Sequence, residues 1–439
     1  VGSSVGLGNF WRFPFTAGEN GGGAFIIIYL FCVLFLGLTV LMAEYALGRK
    51  SGMSAIEGIH SLARAENKSE NWQVVGWIGS LGAFFILTFY IVISAWVLAF
   101  IPQAFGGTFN GFAAEAARLT AETGTTVSIA DVSASNFGET ISNKYVIGGL
   151  LASFLLTNVF VVARGVKGGI EKAATVLMPA FFILLIGIVG FALVEAEAGA
   201  AADFLLTPDF SEVTMGAFLE AVGQAFFSLS VGSCLMITYG AYLSRDTNIP
   251  RASAIVASAD TMVALIAGFA IFPIVFAFGA DPAGGPGLFF VSMPIAFSQM
   301  GALGVWVGGA FFLLALFAAF TSSISLMEVG VAWLEEREGV TRPGAAMGIG
   351  FMLFMIGMGY VYSTDFIDFA DIITGNIMLP LCALLLAVFA GWIVSREMLT
   401  TELGEGTIMN LWRFMCRWIV PPALAFILVL GTLTKLGVI

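Results

Sequence analysis

Long apolar stretches separated by short polar segments run along almost the whole chain. Most of these stretches reach the roughly 20 residues that a helix needs to cross a bilayer. The pattern predicts an all-helical membrane protein with eleven spans, numbered here in chain order: 1–21, 23–48, 74–104, 145–164, 172–195, 215–243, 252–279, 303–334, 343–361, 366–394 and 408–437. Because the chain begins inside span 1, we expect the first half of that span and a cytoplasmic arm to precede residue 1.

Spans 1 and 6 are interrupted by small and polar residues, at 2–14 and at 223–234. A glycine inside a helix costs about 1 kcal/mol relative to alanine. Backbone that leaves the helix at membrane depth is tolerated only where it lines a cavity or is buried in protein. The interruptions therefore predict a binding site, and the alternative is that the small residues only allow close helix packing.

Two interrupted spans five helices apart are typical of transporters built from two inverted repeats. The spacing predicts a single transmembrane domain with a first repeat at 1–196, a second repeat at 215–394 and an additional helix at 408–437. The free N–H and C=O groups at the half-helix ends suit a small cation and a zwitterion.

Composition and charge agree with this class of protein. The sequence is 59% hydrophobic and 11% charged, with a mean hydropathy of +0.97, which excludes a soluble globular domain. Most of the 18 Lys and Arg residues follow even-numbered spans, so the positive-inside rule predicts a cytoplasmic N-terminus and an external C-terminus. No nucleotide-binding or metal-ligand motif and no nucleophile–base pair is visible, so we expect neither a nucleic-acid partner nor an enzyme.

Several ionisable side chains lie within apolar spans, where each is costly unless it faces protein or water. We expect Glu44 to accept hydrogen bonds from the free N–H groups of an unwound helix. Asp260 has no basic residue nearby in the sequence, so a bound cation is its natural partner. Arg12 and Asp368 can pair near the external face and could gate it, although a static ion pair is the alternative.

Span 8 carries three successive hydroxyl side chains, Thr321, Ser322 and Ser323, on an otherwise apolar helix. Oxygen atoms in this arrangement could bind a hard cation that lacks a tight geometry, such as Na⁺. The alternative is that each hydroxyl bonds its own backbone one turn earlier, as hydroxyls in membrane helices commonly do.

Four motifs resemble the neurotransmitter:sodium symporter family in its bacterial amino-acid branch, which has a leucine-transporter-like fold. They are VGLGNFWRFP at 5–14, ENGGGAF at 19–25, GQAFFSLS at 223–230 and TSS at 321–323, and the resemblance covers nearly the whole chain. It implies a 5+5 inverted-repeat fold with broken helices 1 and 6 in a bacterial inner membrane. It also implies a sodium-coupled secondary active symporter that imports an amino acid by alternating access.

The resemblance further implies two sodium sites, one amino-acid site and a gate. The first sodium would be held by the substrate carboxylate, the Ser4 carbonyl, Asn9, Ser228 and Asp260. The second would be held by the Gly2, Val5 and Ala318 carbonyls with Thr321 and Ser322. The substrate would contact Ser4, Leu7, Gly8, Ile86, Tyr90, Phe227, Ser228, Ser230, Ser233, Ser322 and Leu326. Arg12 with Asp368 would form the external gate, with Phe227 as its lid.

This sequence departs from the family's pattern at two of these positions. Ser233 stands where a bulky side chain is usual, so we expect a roomier and more polar pocket floor that accepts a hydrophobic or aromatic amino acid. Asp260 replaces the usual Asn of the first sodium site, and the resemblance implies transport that does not depend on chloride. Two other functions stay open: an ion channel, and a transport-inactive amino-acid sensor on the same fold.

Overall fold

The computed structural model describes residues 2–279 and 287–435, which form helices and connecting turns with no strand among them. Nine helices in these two ranges are long and apolar enough to cross a membrane. They correspond to spans 2 to 5 and 7 to 11 and are Gly23–Ser51, Glu70–Phe105, Lys144–Val162, Val166–Glu195, Ile249–Ala277, Ala302–Glu335, Arg342–Tyr362, Phe366–Ile393 and Thr407–Gly431.

Spans 1 and 6 are divided. Span 1 has turns and a bend at 2–6, followed by the helical segments Gly8–Arg12 and Phe13–Glu19. Span 6 has the helices Met215–Leu229 and Leu235–Ala241, separated by turns. The predicted all-helical membrane fold with broken helices 1 and 6 is confirmed, whereas only nine of the eleven predicted stretches are continuous spanning helices in the part of the chain that the structure describes.

The connections between spans are also largely helical. The longest connection forms Thr108–Gly111, Phe112–Thr123 and Ile129–Ser142. The last of these begins with a capping box, in which the Ser128 N–H donates to the Asp131 carboxylate and the Asp131 N–H donates to the Ser128 hydroxyl; the hydrogen bonds from Ser128 lower the pKa of Asp131. The other connecting helices are Ala55–Ala65, Ala198–Leu206, Phe210–Glu212, Leu288–Ser292, Met293–Gln299 and Arg396–Leu403.

Span 3 lies at the centre of the bundle and span 11 at its edge. In their most apolar windows, 78% of the residues of span 3 are buried inside the protein, against 22% for span 11. The exposed side chains of the outer spans are large hydrophobic ones, such as Ile183 and Val194 of span 5, and in a membrane protein these face lipid. The interrupted spans therefore lie within a scaffold of longer helices.

Spans 2 and 6 touch backbone to backbone. A Cβ added to Gly240 would lie 2.8 Å from the Tyr45 carbonyl oxygen, and one added to Gly48 would collide with the Ile237 carbonyl. Small residues are the usual means by which membrane helices approach this closely. The contact fixes the second half of span 6 against span 2.

Glu44 of span 2 satisfies the free N–H groups of the interruption in span 6. Its side chain is fully buried, and its carboxylate oxygens accept hydrogen bonds from the N–H of Gly232 at 2.6 Å and of Met236 at 3.2 Å. These donors have lost their partners because the helix stops between Leu229 and Leu235. The expected role of Glu44 as an acceptor for an unwound helix is confirmed.

Glu44→Ala should destabilise the protein strongly, because two buried N–H groups would lose their acceptor. Each buried unsatisfied group costs about 1–3 kcal/mol, so for two groups we expect a loss of about 2–6 kcal/mol in the free energy of unfolding, measured as a lower thermal transition in detergent. Glu338→Ala is the matched control, because Glu338 is exposed. Equal melting temperatures for the two variants would contradict this role.

Candidate substrate and sodium site

Asn9 stabilises the interruption in span 1 through two hydrogen bonds with Gly6. The Gly6 N–H donates to Asn9 Oδ1 at 2.9 Å, and the Asn9 N–H donates to the Gly6 carbonyl at 3.1 Å. A Cβ on Gly6 would collide with the Ser322 hydroxyl and lie 3.3 Å from the Tyr90 hydroxyl oxygen. Only glycine at this position lets span 1 approach spans 3 and 8 so closely.

The second interruption runs through three residues with left-handed backbone. Their φ values are 55° at Ser230, 78° at Gly232 and 57° at Cys234, and such values are uncommon for residues other than glycine. A Cβ on Gly232 would lie 2.9 Å from the Leu379 carbonyl carbon. The interruption in span 6 is therefore pressed against the backbone of span 10.

A small cavity lies between the two interruptions. Its volume, counted as the space open to the centre of a water molecule, is about 30 Å³. Spans 1, 3, 6, 8 and 10 contribute its wall. Nine of the eleven residues expected to contact substrate line it: Ser4, Gly8, Ile86, Tyr90, Phe227, Ser230, Ser233, Ser322 and Leu326. The other two, Leu7 and Ser228, lie beside the wall. The Leu7 N–H donates to the Tyr90 hydroxyl at 3.2 Å, and the Ser228 hydroxyl donates to the Asp260 carboxylate.

The cavity wall is rich in hydrogen-bonding groups. The Ser233 hydroxyl donates to the Ser230 carbonyl at 2.7 Å. The Ser4 hydroxyl is buried and has no hydrogen-bond partner among the described residues. Because unsatisfied buried polar groups are costly and rare, this oxygen is suited to a ligand that brings its own polar groups.

The side chains of Asn9, Ser228 and Asp260 form one buried cluster directly behind the cavity. Asn9 Nδ2 donates to Asp260 Oδ1 at 2.7 Å and to Ser228 Oγ at 2.9 Å, and the Ser228 hydroxyl donates to Asp260 Oδ2 at 2.6 Å. Asp260 is fully buried and forms no ion pair with any described side chain. A buried carboxylate without a cationic side chain is a strong attractor for a metal cation.

The hydroxyls of span 8 show both of the expected behaviours. The Thr321 hydroxyl donates to the Phe317 carbonyl four residues earlier at 3.1 Å and also to the Ala318 carbonyl at 3.2 Å, as the alternative requires. Ser322 Oγ instead reaches across to the Ser3 carbonyl of the first interruption at 3.5 Å. Of the other residues expected at the second sodium site, Val5 is fully buried, and a Cβ on Gly2 would lie 3.1 Å from Ala174 Cβ of span 5.

Arg12 lies above the cavity and contacts three groups. Its guanidinium carbon is 4.8 Å from the centre of the Phe227 ring, and its nitrogens lie 3.5 Å from Gln224 Oε1 and 3.5 Å from Asp371 Oδ2. A larger cavity of about 310 Å³ opens on the far side, with both Asp368 and Asp371 on its wall. Arg12 and Phe227 thus separate the two cavities.

Comparison with known proteins identifies the family. The model of the sodium:neurotransmitter symporter family matches residues 1–142 and 125–437. The chain belongs to this family. It is therefore a sodium-dependent membrane transporter, and the expected resemblance is confirmed.

Relatives and a solved structure resemble the chain over nearly its full length. The sodium-dependent transporter YhdH of Bacillus subtilis is 34% identical, with 97% of this chain and 94% of the relative aligned. A sodium-dependent transporter of Haemophilus influenzae is 33% identical over 96% and 93%. The crystal structure of MhsT in complex with L-phenylalanine superimposes with a TM-score of 0.83 at 34% identity, covering 98% of this chain and 96% of that one.

More distant relatives include an amino-acid transporter. Sodium-dependent nutrient amino acid transporter 1 of Drosophila grimshawi is 27% identical over 82% of this chain and 62% of its own length.

One predicted contact of this family member differs in the structure. Arg12 was expected to pair with Asp368, but its ion pair is with Asp371, at 3.5 Å; no Arg12–Asp368 ion pair is present among the described residues. The two acids are three residues apart on one helix, Asp365–Ile373, so both face the same side, and the one nearer the middle of span 10 reaches Arg12. The predicted partner is wrong by one helical turn in this conformation.

Three further contacts were not predicted. Leu379 lines the cavity from span 10, and Gln224 Nε2 donates to the Gly8 carbonyl at 2.8 Å. The Ser323 hydroxyl donates to Asn158 Oδ1 of span 4 at 2.7 Å, which fixes span 8 at its hydroxyl-bearing turn. Asn158 is a buried amide inside an apolar span, and that polarity was the available signal; Leu379 carries none.

Proposed function

We propose that this transporter is a sodium-coupled secondary active symporter that imports a hydrophobic or aromatic amino acid by alternating access. The observation that carries the proposal is the cavity between the two interruptions, which lies against a buried carboxylate that has no cationic partner among residues 2–279 and 287–435. The family and the L-phenylalanine in the MhsT structure support an amino acid as the ligand.

Two sodium ions would travel with the substrate. The first would be held by the Ser4 carbonyl, Asn9, Ser228, Asp260 and the substrate carboxylate. The second would be held by the Gly2, Val5 and Ala318 carbonyls with Thr321 and Ser322. The oxygens of Ser4, Ser228 and Asp260 suit a hard cation, and Asp260 forms no ion pair with a described side chain. Asn9 presents Nδ2 to this cluster while its Oδ1 accepts from the Gly6 N–H, so its amide would have to turn over to bind sodium.

The substrate would be recognised by its two charged ends. Its carboxylate would meet the amides near Gly8 and the Tyr90 hydroxyl, which now accepts from Leu7. Its ammonium group would meet carbonyls near Ser4 and Phe227. The remaining wall residues, which include Ile86 and Leu326, would enclose the side chain of the substrate.

Transport would follow from the order in which these parts close. Sodium would fix the interrupted segments, substrate would complete the first ion shell, and Phe227 with Arg12 would close the external side. An inward-negative potential contributes about 2.3 kcal/mol per charge per 100 mV, which is sufficient to concentrate substrate. The proposed topology has two inverted repeats, 1–196 and 215–394, an extra helix at 408–437, and a cytoplasmic N-terminus in a bacterial inner membrane.

Uptake into proteoliposomes tests the proposal. We expect L-phenylalanine or another large amino acid to accumulate when an inward sodium gradient is imposed, and not with potassium in its place. A channel would pass ions without accumulating amino acid, and a transport-inactive sensor would bind amino acid without uptake. Either outcome would overturn the symport proposal.

Ser233→Phe should shift the preference toward small amino acids. Ser233 is buried in the cavity wall, and a phenylalanine would fill space that a large substrate needs. Differences of one or a few methylenes are worth about 10–200-fold in selectivity, so we expect the uptake ratio of L-phenylalanine to L-alanine to fall at least about tenfold. Ser233→Ala, which removes the hydroxyl without adding volume, is the control, and an unchanged ratio in Ser233→Phe would remove this residue from the pocket.

A further inference from the structure

Two cysteines face each other immediately behind the cavity. Cys234 follows the wall residue Ser233, and Cys382 lies one turn after the wall residue Leu379. Their sulfur atoms are 3.9 Å apart, and both residues are fully buried. Among the described residues, the thiols of the two other cysteines, Cys32 and Cys416, are also buried and form no thiol–thiol contact.

The two sulfurs pack against span 3 at a position where that helix has no side chain. The Val75 carbonyl oxygen is 3.5 Å from Cys382 Sγ and 3.9 Å from Cys234 Sγ. One turn later, a Cβ on Gly79 would lie 2.9 Å from Cys382 Sγ and would collide with Cys234 Sγ. The missing side chain at Gly79 lets both thiols occupy the same space.

The thiol pair lies between the second half of span 6 and the middle of span 10. Cys234 has left-handed backbone and caps the helix Leu235–Ala241, the second half of span 6. Cys382 lies in the helix Leu379–Val388 of span 10. A covalent bond at this point would tie the interrupted segment of span 6 to span 10 directly beside the cavity.

We propose that Cys234 and Cys382 are a reversible redox site, which a small uncharged two-electron oxidant converts to a disulfide that arrests transport. Two S–H bonds break and one S–S bond forms, and both hydrogens pass to the oxidant; a diazene accepts them at its N=N bond and becomes a hydrazine. The S–S bond length of about 2.05 Å requires the sulfurs to approach by about 2 Å. Formation of the bond is independent of the proposed symport, whereas the arrest rests on it.

Access sets the kind of oxidant that can react. Buried thiols react slowly, and a charged oxidant would pay the cost of desolvation. The cavity wall passes through the residue before Cys234, so the proposed substrate route would bring a small neutral molecule to within one residue of the pair. The diazene dicarboxamide diamide meets these requirements and is the probe for the experiment.

Counting thiols tests whether the bond forms. The background is Cys32→Ser/Cys416→Ser in the full chain, reconstituted in proteoliposomes, so that only the pair remains. After diamide and denaturation, a maleimide-polymer reagent should label neither thiol, the chain should stay monomeric on a non-reducing gel, and dithiothreitol should restore both labels. Cys382→Ala and Cys234→Ala in the same background should each keep their one remaining label. Two labels after diamide in the background protein, or dimers in place of an internal bond, would overturn the site.

Uptake by the same samples tests the arrest. Diamide should lower sodium-dependent uptake of L-phenylalanine at least about tenfold in the background protein, because the bond holds two elements within disulfide distance; dithiothreitol should restore it. The two single-cysteine variants should be unaffected by diamide. An internal disulfide with unchanged uptake would overturn the arrest. Absence of uptake before diamide would count against the proposed symport, and the thiol count would still decide the redox site.

Discussion

Gly6→Ala is expected to reduce sodium-dependent uptake by about 10–100-fold, one of the largest effects that a single methyl group could have on this protein. The added Cβ would collide with the Ser322 hydroxyl and crowd the Tyr90 hydroxyl at 3.3 Å. Overpacking of this kind costs about 1–3 kcal/mol. Here the displaced groups belong to the cavity wall and to the proposed second sodium site. We therefore expect the overpacking to weaken the binding of substrate and sodium.

The matched control for this variant is Gly149→Ala in span 4. A Cβ at Gly149 has no atom within 4 Å, so uptake should stay near that of the unmutated protein. Sodium-dependent binding measured on folded, monodisperse protein separates a loss of function from a loss of folding. Equal uptake by the two alanine variants would contradict the close approach of span 1 to spans 3 and 8.

The interruptions could be predicted because they violate a strong local rule. Closely spaced glycines weaken a helix, and backbone that leaves the helix at membrane depth must line a cavity or be buried in protein, so the sequence around Gly6 and Gly232 indicated cavity-lining backbone without any knowledge of tertiary structure. Glu44 could be predicted for a related reason. A carboxylate in an apolar span needs donors, and an interrupted helix is the main supplier of free N–H groups.

The side-chain partners across the bundle were harder to predict, because they depend on the rotation and depth of each helix. Asp368 and Asp371 face the same side of one helix, and only the tertiary structure decides that Asp371 reaches Arg12. Leu379 lines the cavity although it resembles any other leucine in an apolar span. The contact between Cys234 and Cys382 joins residues far apart in the sequence, and no spacing rule indicates it.

Asp260→Asn should weaken sodium binding at least about tenfold, equivalent to about 1.4 kcal/mol. The carboxylate is fully buried and accepts hydrogen bonds from Asn9 and Ser228, but it has no cationic partner among the described residues. Its charge therefore remains available to a cation, and attraction between opposite charges is strong in a poorly screened site. Sodium titration of the thermal transition measures the effect. Ser253→Ala is the control in the same span, because that buried hydroxyl has no hydrogen-bond partner in the described chain.

The same carboxylate predicts that transport does not require chloride. An anion beside a sodium site would serve to balance the cation, and Asp260 already supplies a negative charge there. The next turn of span 7 offers no hydroxyl at Ala264 to hold an anion. Replacing chloride by gluconate at constant sodium should leave uptake by the unmutated protein unchanged, whereas loss of most uptake would mean that Asp260 does not balance the ion. In Asp260→Asn the neutral amide removes this balance, so chloride should partly restore sodium binding if Ala264→Ser is added, because the new hydroxyl can donate a hydrogen bond to the anion.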